Sequence, residues 1–356
     1  MDLVRLGWAA PFNTAFAAFQ DETLIPARVG LAQREHFKLW TERGPIDASL
    51  SGRLRHEADS GGLPVVGDWV ATRLDPGGER GVITALLPRR GALVRKRPDG
   101  DPRPQLLAAN LDTVFIVSSL NHDFSPRRIE RALAMIWESG AQPVVLLTKL
   151  DDCDDPEPLI DEAQSVALGA PVHAVSAWTG VGLDALEPYL TCGRSIALIG
   201  SSGVGKSTLV NWCCGELKAA TSAVREGDDK GRHTTTTREL YLLPSGALLI
   251  DTPGMRELAL WDAETGLDTT FEDIEALAAE CRFSDCLHQR EPGCAIRAAL
   301  QSGALDPSRY AARDKLRREQ AHQQRQHDPK AAFEHHQKIK AIFRQRAKDQ
   351  RSHPKR

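Results

Sequence analysis

Eight consecutive residues near the middle of the chain have the types and spacing of a phosphate-binding loop. The segment Gly-Ser-Ser-Gly-Val-Gly-Lys-Ser at 200–207 fits the pattern G-x-x-x-x-G-K-[ST], and an apolar run precedes it as a buried strand would. The glycines let backbone N–H groups surround a phosphate, the lysine lies against the β- and γ-phosphates, and the serine hydroxyl binds Mg²⁺. The predicted nucleotide contacts here are Gly200, Ser201, Ser202, Gly203, Val204, Gly205, Lys206, Ser207 and Thr208. We therefore expect a nucleoside triphosphate with Mg²⁺, with Ser207 as a metal ligand and Lys206 in a catalytic role.

A second motif indicates which base is bound. The sequence T-K-L-D at 148–151 lies at the end of a predicted strand and matches the [NT]-K-x-D pattern of GTPases. The Asp151 carboxylate can accept hydrogen bonds from both N1–H and the 2-amino group of guanine, a pair that adenine cannot supply. After the next strand, S-A at 176–177 matches the element whose backbone N–H meets guanine O6. The residues assigned to the guanine site are Thr148, Lys149, Leu150, Asp151, Ser176 and Ala177.

Position 148 departs from the commoner form of this motif, since threonine stands where asparagine is usual. The change leaves open how the loop is braced, but it does not alter the choice of guanine.

Two further elements point to a γ-phosphate sensor and a second Mg²⁺ ligand. Asp251-Thr-Pro-Gly254 matches D-x-x-G, in which the aspartate holds Mg²⁺ through water and the glycine N–H contacts the γ-phosphate. Between this element and the phosphate loop lies G-R-H-T-T-T-T at 231–237, where a threonine is expected to bind Mg²⁺ when GTP is present. Thr235 is the predicted ligand, and its two neighbouring threonines remain alternatives.

The predicted catalytic group is His233. Met255 occupies the position where many GTPases carry a glutamine that orients the attacking water, and a thioether cannot hydrogen-bond water as an amide does. We therefore expect His233 to act on water. Lys206 at the phosphates and Thr235 at Mg²⁺ complete the predicted catalytic residues. A solvated or structural role for His233 stays open, and Arg256 is a weaker candidate.

The order of these elements is unusual. The guanine elements come first, followed by the phosphate loop, the switch threonines and D-x-x-G. This order predicts a circular permutation, in which the same sheet is threaded from a different starting strand. It places D-x-x-G near the end of its domain, so we expect its movement to be transmitted to the residues that follow.

A cysteine-rich segment predicts a structural metal site. The pattern Cys281-x4-Cys286-x-His288-x5-Cys294 gathers three thiols and one imidazole within fourteen residues. Such a Cys₃His set closes a tetrahedron around Zn²⁺, whereas a catalytic zinc keeps one position for water. We expect one structural zinc ion here. The remaining cysteines show no comparable grouping.

The patterns around these motifs divide the chain into four segments. Residues 1–20 form an N-terminal extension with a short helix, and 21–100 show short strands typical of an OB-like β-barrel, with an SH3-like barrel as the alternative. Strands and helices alternate over 101–268, as in a doubly wound α/β domain. Residues 269–356 are helical, with the zinc motif and a basic C-terminal extension. We therefore expect a multidomain α/β protein.

Composition and charge limit the partners. The 356 residues carry a net charge of −3, but from residue 308 onward fifteen Lys and Arg stand against five Asp and Glu. The basic helices predicted over 310–326 and 332–349 favour phosphate contact, as does a basic edge on the barrel. That edge consists of Arg89, Arg90, Arg95, Lys96 and Arg97. We expect no signal peptide and no membrane-spanning helix, and an odd number of cysteines fits a reducing cytoplasm.

Together these residues resemble the RsgA (YjeQ) family of circularly permuted GTPases. The likeness covers nearly the whole chain, and G-R-H-T-T-T, D-T-P-G-M-R-E, the permuted order and the Cys₃His spacing carry it. The resemblance implies hydrolysis of GTP to GDP and phosphate, stimulated by the 30S ribosomal subunit during its late maturation. It also implies that the barrel and the zinc domain bind 16S rRNA, and that hydrolysis releases the protein from the subunit.

We expect a cytoplasmic monomer without membrane contact. The alternative function is a non-catalytic RNA-binding or scaffold protein that uses GTP only as a conformational ligand. An ATP-using P-loop kinase is disfavoured by T-K-L-D.

Overall fold

The computed structural model describes residues 2–33, 36–57, 63–96, 104–215, 238–251 and 264–327. Several predicted residues lie outside these ranges, namely Arg97, His233, Thr234, Thr235, Thr236, Gly254, Met255, Arg256 and the tail beyond 327. No helix in the described ranges combines the length and the apolar composition needed to cross a membrane.

The strands belong to one long sheet and one hairpin. They are β1 (Leu24–Gln33), β2 (His36–Thr41), β3 (Gly44–Leu50), β4 (Trp69–Leu74), β5 (Arg80–Leu86), β6 (Ala92–Lys96), β7 (Pro104–Ala109), β8 (Thr113–Ser119), β9 (Gln142–Thr148), β10 (Val172–Ala174), β11 (Ser195–Ile199), β12 (Glu239–Leu242) and β13 (Leu248–Asp251). The helices are α1 (Ala10–Ala17), α2 (Gly52–Glu57), α3 (Pro126–Glu138), α4 (Glu157–Val166), α5 (Lys206–Cys214), α6 (Glu264–Thr270), α7 (Glu272–Ala279), α8 (Ala295–Ser302) and α9 (Pro307–His327).

The first five strands close into a barrel. Their order is β1-β2-β3-β5-β4, and β4 pairs back onto β1. β3 and β5 run parallel, while the other neighbours are antiparallel. A closed five-stranded barrel of this kind confirms the OB-like prediction. Trp69 is buried and contacts the rings of Trp8 and Phe12, so it belongs to the core.

A doubly wound sheet follows, in the order β10-β9-β8-β11-β13-β12. Five of these strands run parallel to one another, namely β10, β9, β8, β11 and β13. The edge strand β12 pairs antiparallel with β13. α3 and α4 pack on one face, and α5 packs on the other. All seven residues of β8 are buried, because a parallel strand covered on both faces has no side open to water.

A buried arginine joins the barrel to this sheet. Arg28 of β1 is 0% exposed and donates to the hydroxyl of Ser195 at 2.7 Å and to the carbonyl of Leu6. Its other donors reach the carbonyls of Gly67 and Asn110, both at 3.3 Å. Burial lowers the pKa of Arg28 to about 10, so the side chain stays charged at neutral pH. Since Ser195 begins β11, the barrel is held against the strand that leads into the phosphate loop.

Two arginines of the predicted nucleic-acid edge have internal partners. Arg89 binds the fully buried Asp68 through two nitrogens, at 2.8 and 2.7 Å. Arg90 pairs with Asp112 at 3.3 Å and lies over the ring of Phe12. These contacts hold the barrel against its neighbours, so the structure does not present these two side chains as a free phosphate-binding edge.

The C-terminal helices form a core of their own against α3. α6, α7, α8 and α9 contribute most of its side chains, and Ala134 and Met135 come from α3. The amide of Gly266 in α6 also donates to the Glu138 carboxylate at 2.9 Å. The region with the cysteine motif therefore packs directly on a helix of the doubly wound domain.

Arg309 of α9 anchors this packing. It donates to both carboxylate oxygens of Asp273 at 2.8 Å, to Glu130 of α3 at 3.1 Å, and to the carbonyl of Thr270 at 3.0 Å. Its guanidinium also lies 5.0 Å from the centre of the Phe271 ring. Burial raises the pKa of Glu130 to about 7, although Arg309 opposes the shift.

Other basic residues of α9 are paired in the same way. Arg313 binds Glu275 at 2.7 Å, and Arg317 binds Asp268 at 2.6 Å. The prediction of phosphate contact for the helix over 310–326 therefore does not extend to these two arginines, which neutralise acidic residues of α6 and α7.

Candidate nucleotide site and metal centre

The phosphate loop leaves the sheet where Gly200 passes close to the neighbouring strand. Gly200 has a φ of +151°, and an added Cβ would lie 2.2 Å from the carbonyl oxygen of Val117 in β8. Only glycine fits this position, because any side chain would push the loop away from β8. α5 begins at Lys206, so the amides of its first turn point toward the loop. The structure thus confirms the predicted succession of strand, loop and helix.

The ammonium group of Lys206 lies across the loop. Nζ donates to the carbonyl of Gly200 at 2.7 Å and also to that of Ser201. Asp251 ends β13, the strand next to β11, and its carboxylate interacts electrostatically with Lys206. Burial raises the pKa of Asp251, and the lysine charge lowers it. Since β11 and β13 are parallel neighbours, Lys206 after β11 and Asp251 at the end of β13 lie at the same edge of the sheet, as a bound phosphate and its Mg²⁺ would require.

Thr148 braces the phosphate loop from the neighbouring strand. Its side chain is buried, and its hydroxyl lies 2.6 Å from the carbonyl of Val204 and 3.3 Å from that of Ser118. A hydroxyl carries one proton, so the shorter contact is the hydrogen bond. The sequence alone left open how a threonine at position 148 would brace its surroundings. The structure shows that its hydroxyl holds the phosphate loop through Val204.

The two guanine elements lie next to each other at the same end of the sheet. β9 and β10 are parallel, and the amide of Leu150 donates to the carbonyl of Val175 at 3.3 Å. Lys149 has a φ of +61°, which turns the chain sharply and is followed by the exposed Asp151. The amide of Ser176 is already bound to the carbonyl of Val181 at 2.9 Å.

All four described elements sit where their strands end. The T-K-L-D loop follows β9, S-A follows β10, the phosphate loop follows β11, and Asp251 ends β13. Ligands of open α/β sheets bind outside the carboxyl ends of the strands, so this edge can hold a nucleotide. β9 and β10, which carry the guanine elements, come before the phosphate-loop strand β11 in the chain. In the sheet they lie on the side of β11 opposite to β13, with β8 between β9 and β11. This arrangement agrees with the predicted permutation.

A small cavity adjoins the phosphate loop and was not predicted. It has a volume of about 60 Å³ and is lined by Arg128, Ile129 and Ala132 of α3, together with Ser201 and Val204 of the loop. The apolar face of α3 could be recognised in the sequence, but its position against the loop depends on how the sheet is threaded. α3 therefore faces the phosphate loop across this cavity and packs against the C-terminal helices along its length.

The four metal-binding candidates come together as predicted. Cys281, Cys286, His288 and Cys294 have ligand atoms that all lie within 4.8 Å of one another. The sulfurs of Cys281 and Cys294 are 3.9 Å apart, and they lie 3.6 and 3.5 Å from Nδ1 of His288. Ligands about 2.3 Å from a tetrahedral zinc would be about 3.7 Å apart. This Cys₃His cluster can hold a metal ion, and its dimensions fit zinc.

Backbone donors support the same cluster. The amide of Arg297 donates to the sulfur of Cys294 at 3.4 Å, and the backbone amides of Ala295 and Ile296 help to lower the pKa of the Cys281 thiol. Amides directed at sulfur stabilise thiolates, the form that binds metal.

Comparison with known proteins agrees with this geometry. The model of the family described as RsgA GTPase matches residues 86–261. A protein of Opitutus terrae named small ribosomal subunit biogenesis GTPase RsgA is 48% identical and is covered over 98% of both chains. The chain belongs to the RsgA GTPase family. A relative of the same name from Syntrophotalea carbinolica is 44% identical over 99% of both chains.

Two solved structures share the fold. YjeQ from Thermotoga maritima aligns with a TM-score of 0.63 at 27% identity, covering 82% of this chain and 97% of that one. YloQ, described as a circularly permuted GTPase, aligns with a TM-score of 0.59 at 26% identity, covering 83% and 95%. As an RsgA GTPase the chain is a GTP hydrolase, which confirms the enzymatic prediction over the non-catalytic alternative.

Proposed function

We propose that this RsgA GTPase hydrolyses GTP at the edge formed by β9, β10, β11 and β13, and that the small ribosomal subunit stimulates the reaction. The observation that carries the proposal is the hydrogen bond from Thr148 to Val204, which joins the guanine motif to the phosphate loop. Because of it, base recognition and phosphate binding belong to one rigid site. The relatives are named for small ribosomal subunit biogenesis, which supports the 30S subunit as the partner.

In the guanine pocket Asp151 would accept N1–H and the 2-amino group, and the aliphatic part of Lys149 would lie along the purine. The amide of Ala177 would donate to O6, since that of Ser176 already donates to Val181. Recognition thus rests on two acceptor contacts and one donor contact, a pattern that adenine cannot satisfy.

At the phosphates Lys206 would exchange its carbonyl partners for the β- and γ-phosphate oxygens, and the backbone of 200–205 would surround them. Mg²⁺, which neutralises charge on the transferred phosphoryl group, would be held by the Ser207 hydroxyl and by Asp251 through water. Thr235 as a further ligand, Gly254 as the γ-phosphate sensor and His233 as the group acting on water stay predictions, because they lie outside the described residues.

The Cys₃His cluster would bind one structural zinc ion. All four protein ligands converge, so a tetrahedral ion would have no position left for water. The metal would fix the loops that connect α7 to α8.

We further propose that 16S rRNA is the surface contacted on the 30S subunit, during its late maturation in the cytoplasm, and that the protein acts as a monomer. The extension beyond 327 contributes to the basic excess counted in the sequence. Internal pairing of Arg89, Arg90, Arg313 and Arg317 leaves that extension as the stronger candidate for phosphate contact.

An Asp151→Asn variant tests the guanine site. Guanine carries an amino donor at C2, whereas xanthine carries a carbonyl acceptor, so an amide side chain should favour xanthine nucleotides. We expect the GDP affinity to fall at least about 100-fold, since two charge-assisted hydrogen bonds are lost, and the affinity for xanthosine diphosphate to rise. Isothermal titration calorimetry measures both.

Asp152→Asn is the matched control, because Asp152 is the next residue of the same turn and is also exposed. It should bind GDP as the wild type does. Equal GDP affinity of wild type and Asp151→Asn would show that the base is recognised elsewhere.

A further inference from the structure

The loop after β10 holds one large aromatic side chain in water. Trp178 is 84% exposed, and Val181 in the same loop is 56% exposed. Trp178 directly follows the residue whose amide is assigned to guanine O6. An indole this exposed has most of its apolar surface uncovered, and aromatic side chains commonly line small-molecule pockets, so a ligand bound beside Trp178 would cover this surface.

The backbone beneath Trp178 is firmly held. The amide of Ser176 donates to the carbonyl of Val181, and the amide of Gly180 donates to the carbonyl of Ser176, both at 2.9 Å. The amide of Thr179 donates to the Ser176 hydroxyl at 3.0 Å. Trp178 therefore projects from an ordered turn, so its exposure does not result from a loose segment.

The end of the turn is also fixed. Gly182 has a φ of +75°, and an added Cβ would lie 2.4 Å from the carbonyl of Ala174. Only glycine allows the turn to close against β10 at this point.

Strand pairing places this turn beside the T-K-L-D loop. The amide of Val175 donates to the carbonyl of Leu147 at 2.8 Å, and the amide of Leu150 donates to the carbonyl of Val175 at 3.3 Å. Parallel neighbours are about 4.8 Å apart, and the two chains leave the sheet together. Trp178 thus lies three residues after Val175, whose carbonyl accepts a hydrogen bond from Leu150 of the T-K-L-D loop.

We infer that Trp178 stacks on the guanine base and forms a wall of its pocket. The inference rests on the proposed guanine site and adds a residue that the T-K-L-D and S-A motifs do not include. Base stacking on aromatic rings uses the π-face that every base has, so it strengthens binding while hydrogen bonds to Asp151 set the choice of base. The position of Trp178, next to Ala177, favours the bound nucleotide over an RNA base as its partner.

The test compares GDP binding by wild type, Trp178→Phe and Trp178→Ala using calorimetry. Base–aromatic stacking corresponds to roughly 5- to 150-fold in affinity, so the alanine variant should bind GDP at least about fivefold more weakly. The phenylalanine variant keeps an aromatic face and should stay within about threefold of wild type.

Tryptophan fluorescence gives a second readout that a merely structural role would not change. GDP should quench part of the emission of the wild type, and Trp178→Phe should abolish this quenching although six tryptophans remain. Trp212→Phe is the matched control, since Trp212 is also partly exposed, at 37%, but lies in α5. That variant should keep the quenching.

Three outcomes would overturn the inference. If Trp178→Ala binds GDP with wild-type affinity and quenching persists in Trp178→Phe, Trp178 does not contact the base. If Trp178→Ala binds GDP normally but loses affinity for 30S subunits, its partner is ribosomal. If the wild type itself does not bind GDP, the proposed guanine site fails and this inference with it, an outcome distinct from the first two.

Discussion

Thr148 shows what a single residue contributes to this site. The sequence assigned Thr148 to the guanine motif T-K-L-D. In the structure its hydroxyl donates to the carbonyl of Val204, 56 positions later in the chain. The acceptor is a backbone carbonyl, which carries no sequence signal. The bond became visible only when the threading of the sheet placed the end of β9 against the phosphate loop.

We expect Thr148→Val to weaken both stability and nucleotide binding. Valine has nearly the same shape but no hydroxyl, so the buried carbonyl of Val204 would lose its donor, at a cost of about 1–3 kcal/mol in the free energy of unfolding. Urea unfolding followed by circular dichroism measures the loss, and calorimetry measures the lower GDP affinity.

Thr148→Ser is the control, because serine keeps the hydroxyl. It should retain most of the stability and GDP affinity of the wild type. A valine variant as stable as the serine variant would show that the bond to Val204 does not brace the loop.

Other residues illustrate where sequence patterns mislead. Arg89 and Arg90 were predicted to contact nucleic acid because they cluster with further basic residues. In the structure Asp68 and Asp112 neutralise them. Charge clusters can be counted in a sequence, but acidic partners that lie 21 and 22 positions away in the chain are recognised only in the folded protein.

At the scale of elements, α3 lies between the nucleotide site and the C-terminal helices. Its side chains Ile129 and Ala132 line the cavity beside the phosphate loop, while Glu130 meets Arg309 of the C-terminal helices. The sequence indicated that D-x-x-G would transmit movement to the following region. The structure adds α3, which packs against that region and lines the cavity beside the phosphate loop.

Arg309→Met should destabilise the protein strongly. The substitution would leave the buried Glu130 without its partner and would also remove the ion pair with the partly exposed Asp273, at an expected cost of about 3 kcal/mol in the free energy of unfolding. Thermal and urea unfolding of the full chain measure this loss.

Arg318→Met provides the comparison in the same helix. Arg318 is 78% exposed and pairs with Asp314 one turn earlier, so its loss should cost no more than about 0.5 kcal/mol. Similar losses for the two variants would mean that the contact between Arg309 and α3 does not hold the C-terminal helices in place.

The Cys₃His cluster was fully predictable as a set, because its ligands lie within fourteen residues and their spacing is short. The way in which the cluster packs against the rest of the protein could not be predicted from the sequence. Cys294 is buried and caps α8, and the cluster packs against the same core as α3, α6 and α9.

Removal of the metal should therefore unfold more than the cysteine loops. We expect the purified protein to contain about one zinc ion per chain and Cys286→Ser to lose it, with a lower melting temperature, because metal binding energy contributes to folding. Metal analysis and thermal unfolding test this. Cys192→Ser changes an exposed cysteine outside the cluster and should affect neither value. A zinc-free wild type with unchanged stability would contradict the structural role.

At the scale of the whole molecule, the barrel and the GTPase sheet are continuous. Leu31 of β1 pairs with Glu239 of β12, which in turn pairs with β13 and its terminal Asp251. Arg28 adds a second connection to the start of β11. The motifs predicted the fold of each segment and the permuted order, but these connections join residues more than 160 positions apart and have no local signature.

Because the two sheets are continuous, a partner that binds the barrel can influence the strands that carry the nucleotide site. The C-terminal helices reach the same site through α3. Binding of a large partner to both outer domains would thus act on the phosphate loop from two sides, which is the physical basis expected for stimulation of GTP hydrolysis by the 30S subunit.

The most direct test is the rate of phosphate release from GTP with and without purified 30S subunits. We predict a slow rate for the protein alone, a clear rise with 30S subunits, and no comparable rise with 50S subunits. Lys206→Ala should show no turnover under any of these conditions, since it lacks the charge that binds the β- and γ-phosphates. A wild-type rate that 30S subunits leave unchanged would contradict the account.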